Sequence, residues 1–120
     1  MRHFIVIVLL CVSASAVADE WGEALQLDSY GELKEFWKTD VVPMDALREL
    51  LKFQGPLRTE VDVLIRKDGT AIGRITTSSG NEEFDSAVMD VVEQYRYRPT
   101  EKNDPPQPVV VPYYRTVGSQ

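Results

Sequence analysis

Polar and apolar positions alternate along residues 57–77 in two runs that are separated by a turn. In the first run every second residue belongs to the same face, as in a strand with one buried face. The residues of the buried face are Thr59, Val61, Val63 and Ile65, and the polar residues that alternate with them are Glu60, Asp62 and Arg66. The tetrapeptide Lys67-Asp68-Gly69-Thr70 follows, and its glycine adopts positive φ without strain, as a tight hairpin turn requires. The pattern predicts a β-hairpin whose return strand runs from Ala71 to Thr77.

A second stretch has a period near 3.6 residues, which predicts an amphipathic helix. Its apolar positions fall on one face over three turns: Phe84, Ala87, Val88, Val91, Val92 and Tyr95. Ser79 and Glu82 have the spacing of a capping box, in which a hydroxyl and a carboxylate satisfy free backbone donors at a helix start. Pro99 predicts the end of the helix, because proline does not continue one.

The last part of the chain predicts a loop and then a strand. Thr100 to Pro108 is polar and contains several prolines, whereas Val109 to Val117 is rich in β-branched and aromatic residues. Pro112 interrupts this second run and has no backbone N–H to give to a neighbouring strand. The strand is therefore expected at an edge of the sheet or at a bulge.

Two shorter helices are predicted before the hairpin. Apolar side chains recur at helical spacing between Ser29 and Lys38, and Asp28 or Ser29 is placed to cap that segment. Pro43 suits the first position of a second helix, which has an apolar stripe and which Gly55-Pro56 ends near Phe53. The two stripes are Tyr30, Leu33, Phe36 and Trp37 in the first helix and Ala46, Leu47, Leu50 and Leu51 in the second.

These elements together predict an α+β fold. Their order is helix, helix, strand, strand, helix, strand, and their lengths suit a small antiparallel three-stranded sheet packed against helices. No internal repeat interrupts the layout. At 120 residues, the chain has room for one domain.

The first residues have the features of an export signal. Arg2 precedes an apolar run that begins at Phe4 and leads through small residues to Ala16-Val17-Ala18, an A-x-A cleavage pattern. A spanning helix needs about 20 apolar residues, and this run is shorter, so we expect cleavage after Ala18 and a periplasmic protein. An uncleaved inner-membrane anchor is the alternative.

Composition then limits the kinds of catalytic and binding site that the chain can form. The only His and the only Cys of the chain, His3 and Cys11, both lie in the expected signal, so the exported protein would have no His or Cys for nucleophilic catalysis, for a metal site or for a disulfide. No cofactor motif is present. The formal net charge of −6 argues against nucleic-acid binding. Seven acids and two bases lie between Asp19 and Asp40, which makes residues 19–41 an acidic, partly helical segment before the domain at 42–120.

The order of motifs from Val42 to Val117 resembles the C-terminal domain of the TonB family of bacterial envelope energy transducers. The matching strings are Pro43-Met44-Asp45-Ala46, the strand that ends in Asp68-Gly69, Ile72 to Ile75 with Ser78-Ser79-Gly80, Phe84-Asp85-Ser86-Ala87-Val88, Tyr95-Arg96-Tyr97-Arg98-Pro99 and Gln107-Pro108-Val109-Val110-Val111-Pro112. The resemblance covers about two thirds of the chain. The anchor and the long Pro-rich linker of a complete transducer are not visible, so the resemblance implies the binding module.

This resemblance implies a non-enzymatic protein that captures an extended peptide, for example from an outer-membrane receptor, beside its last strand. The corresponding segment here runs from Val109 to Val117, where one set of side chains would pack on the helix and the backbone of the open edge would pair with the partner. The partner-binding residues expected from it are Val109, Val111, Tyr113, Tyr114, Arg115 and Val117.

Four alternatives stay open at this point. The chain could be an anchored component of a TonB-type transducer, and the acidic segment from Asp19 to Asp40 could itself cover the edge of the last strand. An exposed edge also allows two copies of the chain to pair as a homodimer. The fourth alternative is an envelope hydrolase that uses carboxylates, with Glu82 and Glu83 as the candidates.

Overall fold

A computed structural model describes residues 20–118, so the expected signal at residues 1–18 lies outside the described residues. The six strands are β1 (Leu25–Gln26), β2 (Trp37–Val41), β3 (Leu57–Ile65), β4 (Ala71–Thr77), β5 (Arg96–Pro99) and β6 (Val109–Val117). The longer helices are α1 (Met44–Glu49) and α2 (Glu82–Gln94), and 3-10 helices lie at Tyr30–Glu35, before β2, and at Leu50–Lys52, directly after α1. Residues 20–23 are also helical.

The main sheet has four strands in the order β1-β6-β3-β4. Strand β3 pairs antiparallel with both β4 and β6, whereas the short β1 pairs parallel with β6. The predicted α+β class is confirmed, and the three predicted strands are adjacent as expected. The prediction of a three-stranded sheet was wrong in detail, because residues 25–26 add a strand to the edge that the sequence had left open.

A tight turn joins β3 to β4, as the sequence predicts. Gly69 has φ +85°, and a Cβ at this position would collide with the carbonyl oxygen of Tyr97, so glycine is required for two reasons. The Asp68 carboxylate accepts hydrogen bonds from the backbone N–H of Thr70 at 3.0 Å and from its hydroxyl at 2.6 Å. The turn fixes the register in which Ile65 lies opposite Ala71.

One face of the main sheet, called the inner face, is covered by α2. The odd-numbered side chains of β3 and the first odd-numbered ones of β6 point to the helix, since side chains alternate along a strand. The core cluster that they form with the helix includes Val61, Val63, Ile65, Val109 and Val111 from the sheet and Phe84, Val88, Val91 and Val92 from α2. The amphipathic pattern of α2 is therefore confirmed as a packing face.

Both ends of α2 differ from the sequence prediction. The N-cap is Asn81, whose side chain accepts from the Phe84 N–H at 3.0 Å, because the Ser79 hydroxyl is bound to the Asp85 carboxylate instead. The helix ends at Gln94. The residues that follow form β5, so Pro99 ends a strand and not the helix.

A second, two-stranded sheet corrects the prediction of a helix from Ser29 to Lys38. Only Tyr30–Glu35 is helical, as a 3-10 helix, and the chain then extends as β2, which pairs antiparallel with β5. Trp37 is 2% exposed, and its indole N–H donates to the Gln107 carbonyl at 3.2 Å. The apolar spacing in this segment thus reflects burial of a few side chains rather than a continuous helix.

The opposite, outer face of the main sheet is half covered. Leu64 and Val110 lie on this face and are at most 3% exposed, because Ala24 packs against them with Trp21 and Ile72 at the margin. Beyond that cluster the outer face of β3 and β6 has side chains that are exposed or half-buried, namely Arg58, Glu60, Asp62, Pro112, Tyr114 and Thr116. We call residues 20–30, which cross the outer face and then follow β6, the strap.

Candidate interaction edge

The outward edge of β6 begins at the strap. The Leu25 N–H donates to the Pro108 carbonyl at 3.0 Å, and the Leu27 N–H donates to the Val110 carbonyl at 2.9 Å. Backbone groups alternate between the two sides of a strand, so even-numbered residues of β6 point to this edge and odd-numbered residues point to β3. Pro112 fits this parity, since its missing N–H falls on the outward side and breaks no bond to β3.

The second half of the same edge has no partner strand among residues 20–118, because β1 pairs only with Val109 and Val110. We call residues 112–116 of this edge the open half. By the same parity, the open half presents the Pro112 carbonyl and both backbone groups of Tyr114 and of Thr116. Two donors and three acceptors therefore face outward along residues 112–116. An extended peptide is the ligand that such a row of groups can pair with.

The structure separates the six site residues that the sequence suggests. Val109 and Val111 are 0% exposed and belong to the core. Tyr113, Arg115 and Val117 are half-buried, and their backbone groups point to β3. Tyr114 combines an exposed side chain, at 57%, with a backbone that faces the open half.

The partner-binding residues suggested by the sequence do not include the other two residues of the open half, Pro112 and Thr116, whose side chains are exposed. A signal for them was present. A proline inside a paired strand has to turn its nitrogen away from the partner strand, and this fixes the outward parity of every second residue.

A cleft of about 550 Å³ lies alongside the open half. The Arg58 guanidinium lies 4.0 Å from the centre of the Tyr114 ring and its Nε donates to Glu60 at 2.8 Å, so this part of the wall is already ordered. Both charge signs are represented in the cleft, together with aromatic rings. It is lined by Asp28, Ser29, Tyr30, Arg58, Glu60, Val61, Asp62, Thr76, Pro112, Tyr113, Tyr114 and Arg115.

Tyrosines close one end of this cleft. The rings of Tyr30 and Tyr113 are 5.5 Å apart, the hydroxyls of Tyr30 and Tyr97 are 3.3 Å apart, and Arg115 Nε donates to the Tyr113 hydroxyl at 2.6 Å. Burial raises the pKa of Tyr113 to about 12 and raises the pKa of Tyr97 further. These phenols stay neutral at physiological pH, so they do not act there as a general base.

A buried carboxylate anchors β3 behind the open half. Asp85 accepts hydrogen bonds from Thr59 Oγ1 at 2.6 Å, from Ser79 N and Oγ at 3.0 and 2.8 Å, and from the Ser78 hydroxyl. Burial alone raises the pKa of Asp85, but the Ser78, Thr59 and Ser79 donors outweigh it and lower the pKa from 3.8 to about 2. Thr59 lies opposite Arg115, so the network fixes the strand on which the open half rests.

The two carboxylates considered for hydrolysis, Glu82 and Glu83, are exposed in the first turn of α2 and do not line the cleft beside the open half. Glu83 lies at a groove of about 660 Å³ between α1 and α2, with Asp45, Glu49 and Asp90 at its rim and Phe53 among its apolar residues. Asp85, which lies near them in α2 but was not one of the two candidates, accepts the hydrogen bonds described above. Across residues 20–118, no three His, Cys, Asp or Glu side chains are grouped so that they could hold a metal ion.

The family model described as "TonB C terminal" matches residues 30–112. No curated protein and no solved structure matches the chain. Within the part of the chain that the structure describes, no helix has the length and hydrophobicity to span a bilayer.

Proposed function

Because the chain belongs to the TonB C-terminal family, whose domains are periplasmic, non-catalytic binding modules, we propose that it binds an extended segment of an envelope protein at the open half of β6. Domains of this family interact with outer-membrane receptors and other envelope proteins, and a partner of that kind would link the chain to outer-membrane transport. Residues 1–18 would direct export and be removed, so that the protein recovered from cells has the mass of a chain that begins at Asp19.

The observation that carries the proposal is the row of outward backbone groups along residues 112–116, which have no partner strand within residues 20–118. An edge strand that is not covered pairs readily with another chain, and main-chain hydrogen bonds give affinity without requiring a particular sequence. The neighbouring cleft adds contacts for side chains. Tyr114 and the Arg58 guanidinium above it offer a flat amphipathic surface of the kind that is frequent at protein interfaces.

The direct test is photo-crosslinking in cells from a benzoylphenylalanine placed at Tyr114. We expect a specific adduct that disappears when Thr116→Pro removes the neighbouring outward donor. A matched probe at Ile75, an exposed residue of the opposite edge strand β4, controls for non-specific capture. An adduct that is equally strong from both probes, or that persists with Thr116→Pro in the folded protein, would contradict the assignment, and an adduct of the chain with itself would indicate a homodimer.

A second test separates the backbone from the side chain. Tyr114→Pro removes an outward N–H, whereas Tyr114→Phe keeps that N–H and the aromatic ring. We expect capture, measured from a crosslinker at Thr116, to fall at least ~10-fold in the proline variant and to be nearly unchanged in the phenylalanine variant. Both variants should unfold at urea concentrations close to that of the wild type, because neither change breaks a bond to β3.

A further inference from the structure

The strap is held on the sheet by contacts of three kinds. Glu20 and Arg66 form an ion pair at 3.1 Å, and the Arg74 guanidinium lies 4.3 Å from the centre of the Trp21 ring. Ala24, 5% exposed, packs on the outer-face cluster described above. The strap thus crosses from the outer face to the edge of the sheet before it reaches β6.

At the edge, the strap binds as a strand. Leu25 and Leu27 donate their N–H groups to β6 and pack against the inner core, whereas the Gln26 backbone faces away from β6 by the alternation of a strand. The Gln26 side chain folds back on the outer side and donates to the Trp21 and Ala24 carbonyls at 3.3 and 3.4 Å. Residues 25–27 therefore occupy the position that a bound peptide would take along the first half of β6.

We propose that the strap is a displaceable, intramolecular occupant of the partner-binding edge. The inference rests on the proposed function in that the competing ligand is a strand that pairs with β6. A partner that engages the open half can extend its pairing past Pro112 only by removing residues 25–27. The strap therefore limits access to the edge, and its release lengthens the binding surface.

Several features make the strap the part of the sheet that separates most easily. Strand β1 has two residues and β6 receives two N–H donors from the strap, whereas β3 pairs with both of its neighbours over most of its nine residues. The Glu20–Arg66 pair has side chains that are 44% and 38% exposed, so it is worth little in salt solution. Short peripheral strands of this kind open at much lower free energy than the core of a domain.

The strap also specifies the chemistry of the segment that would replace it. Release exposes Leu64 and Val110, which are at most 3% exposed when the strap is bound. A replacing segment runs parallel to β6, places aliphatic side chains two residues apart where Leu25 and Leu27 lie, and places a small residue over the outer cluster. A polar extended peptide would pair with the backbone but leave this apolar surface in water.

The test uses the strap as its own probe. A fluorescent peptide with the sequence of residues 20–30 is titrated into the full-length chain, into a Leu25→Pro/Leu27→Pro variant and into a Gln26→Pro control. The double variant loses both N–H donors to β6, whereas the control introduces a proline into the same strand at a position whose N–H faces away from β6. We expect the peptide to bind the double variant at least ~10-fold more tightly than the wild type or the control. In the latter two proteins the strap already occupies the edge in most molecules, and the apparent affinity falls in proportion to the fraction of molecules whose edge is free. Equal affinity for the three proteins would overturn the proposal.

Amide hydrogen exchange of the wild type provides a readout that needs no variant. We expect the amides of Leu25 and Leu27 to exchange at least ~100-fold faster than the amides of β3 that bond to its neighbours. Equal protection would show that β1 opens only with the whole domain and would overturn the inference. Neither experiment involves an envelope partner. The proposal about the strap can therefore be overturned while crosslinking at Tyr114 succeeds, and it can hold while that crosslinking fails.

Discussion

The two halves of β6 differ in burial although they form one continuous strand. Val109, Val110 and Val111 are all at most 3% exposed, whereas exposed and half-buried residues alternate from Pro112 to Val117. The first half is covered by α2 on its inner face and by the strap on its outer face and outward edge. The second half is bordered by Asp28, Ser29 and Tyr30 of the strap, but its outward edge has no partner strand among residues 20–118.

The sequence of the strand matches this difference. Three consecutive valines suit a stretch that is buried on both faces, whereas Pro-Tyr-Tyr-Arg-Thr contains amphipathic and polar side chains that tolerate partial exposure. The comparison separates the end of the strand that belongs to the packed core from the end at which we propose that a partner first binds. Substitutions in the first half should therefore affect folding, and substitutions at outward positions of the second half should affect binding alone.

The sharpest way to break this comparison is to place the same charge in each half. Val111→Asp buries a carboxylate among apolar side chains, and we expect it to lower the free energy of unfolding by about 4 kcal/mol or more. Thr116→Asp adds the same group at an exposed position and should change the free energy of unfolding by less than about 0.5 kcal/mol. Urea unfolding followed by circular dichroism measures both. Similar losses in the two variants would show that the halves are not energetically distinct.

A smaller effect is expected from removing the anchor behind the open half. Asp85→Ala leaves the Thr59 hydroxyl, which is 0% exposed, without its acceptor, and should lower the free energy of unfolding by about 3 kcal/mol. Glu83→Ala, on the same turn of α2, is the control and should cost less than about 1 kcal/mol.

Hydrogen exchange shows whether that loss is local. In Asp85→Ala, protection should fall more at residues 57–61, which pair with the open half, than at residues 63–65, which pair with the first half. Uniform loss along β3 would mean that Asp85 stabilises the whole sheet rather than the part that supports the open half.

The smallest expected effect concerns the loss of stability at acidic pH. The pKa of Asp85 is lowered to about 2 in the folded protein, whereas an unfolded aspartate has 3.8, so the unfolded chain takes up a proton first as the pH falls. The stabilisation by Asp85 is therefore complete above about pH 4 and is lost as the pH falls toward about 2. Asp85→Asn does not titrate at this position, and its unfolding midpoint should vary less with pH across that window than the midpoint of the wild type. Parallel pH profiles would remove Asp85 as a source of acid sensitivity.

Sequence reasoning was accurate where the pattern is local. The hairpin around Gly69 and the strand Val109–Val117 have the predicted bounds, since alternation and turn chemistry are properties of neighbouring residues. The start of α2 was assigned to the wrong cap, because Ser79 binds Asp85 once the loop folds back on the helix. A capping pattern in the sequence does not show that competing acceptor.

The N-terminal third was predicted less well because its structure depends on distant partners. Strand β2 exists through pairing with β5, in which Trp37 lies opposite Pro99, and β1 exists through pairing with Val109 and Val110. Of the five residues of β2, Trp37 alone is buried, so no alternation was available to indicate a strand. The open half could have been located more closely, because the parity of its outward groups follows from Pro112.

Pro112 also bears on the solubility of the protein at high concentration. A strand with an uninterrupted row of outward donors can serve as a template on which further chains add without limit, which is how ordered aggregates grow. Here the strap covers the edge before Pro112, and the proline supplies no donor of its own, so only the N–H groups of Tyr114 and Thr116 remain outward along residues 112–116. A short partner segment can use so brief a row, whereas a growing stack of identical chains gains little from it.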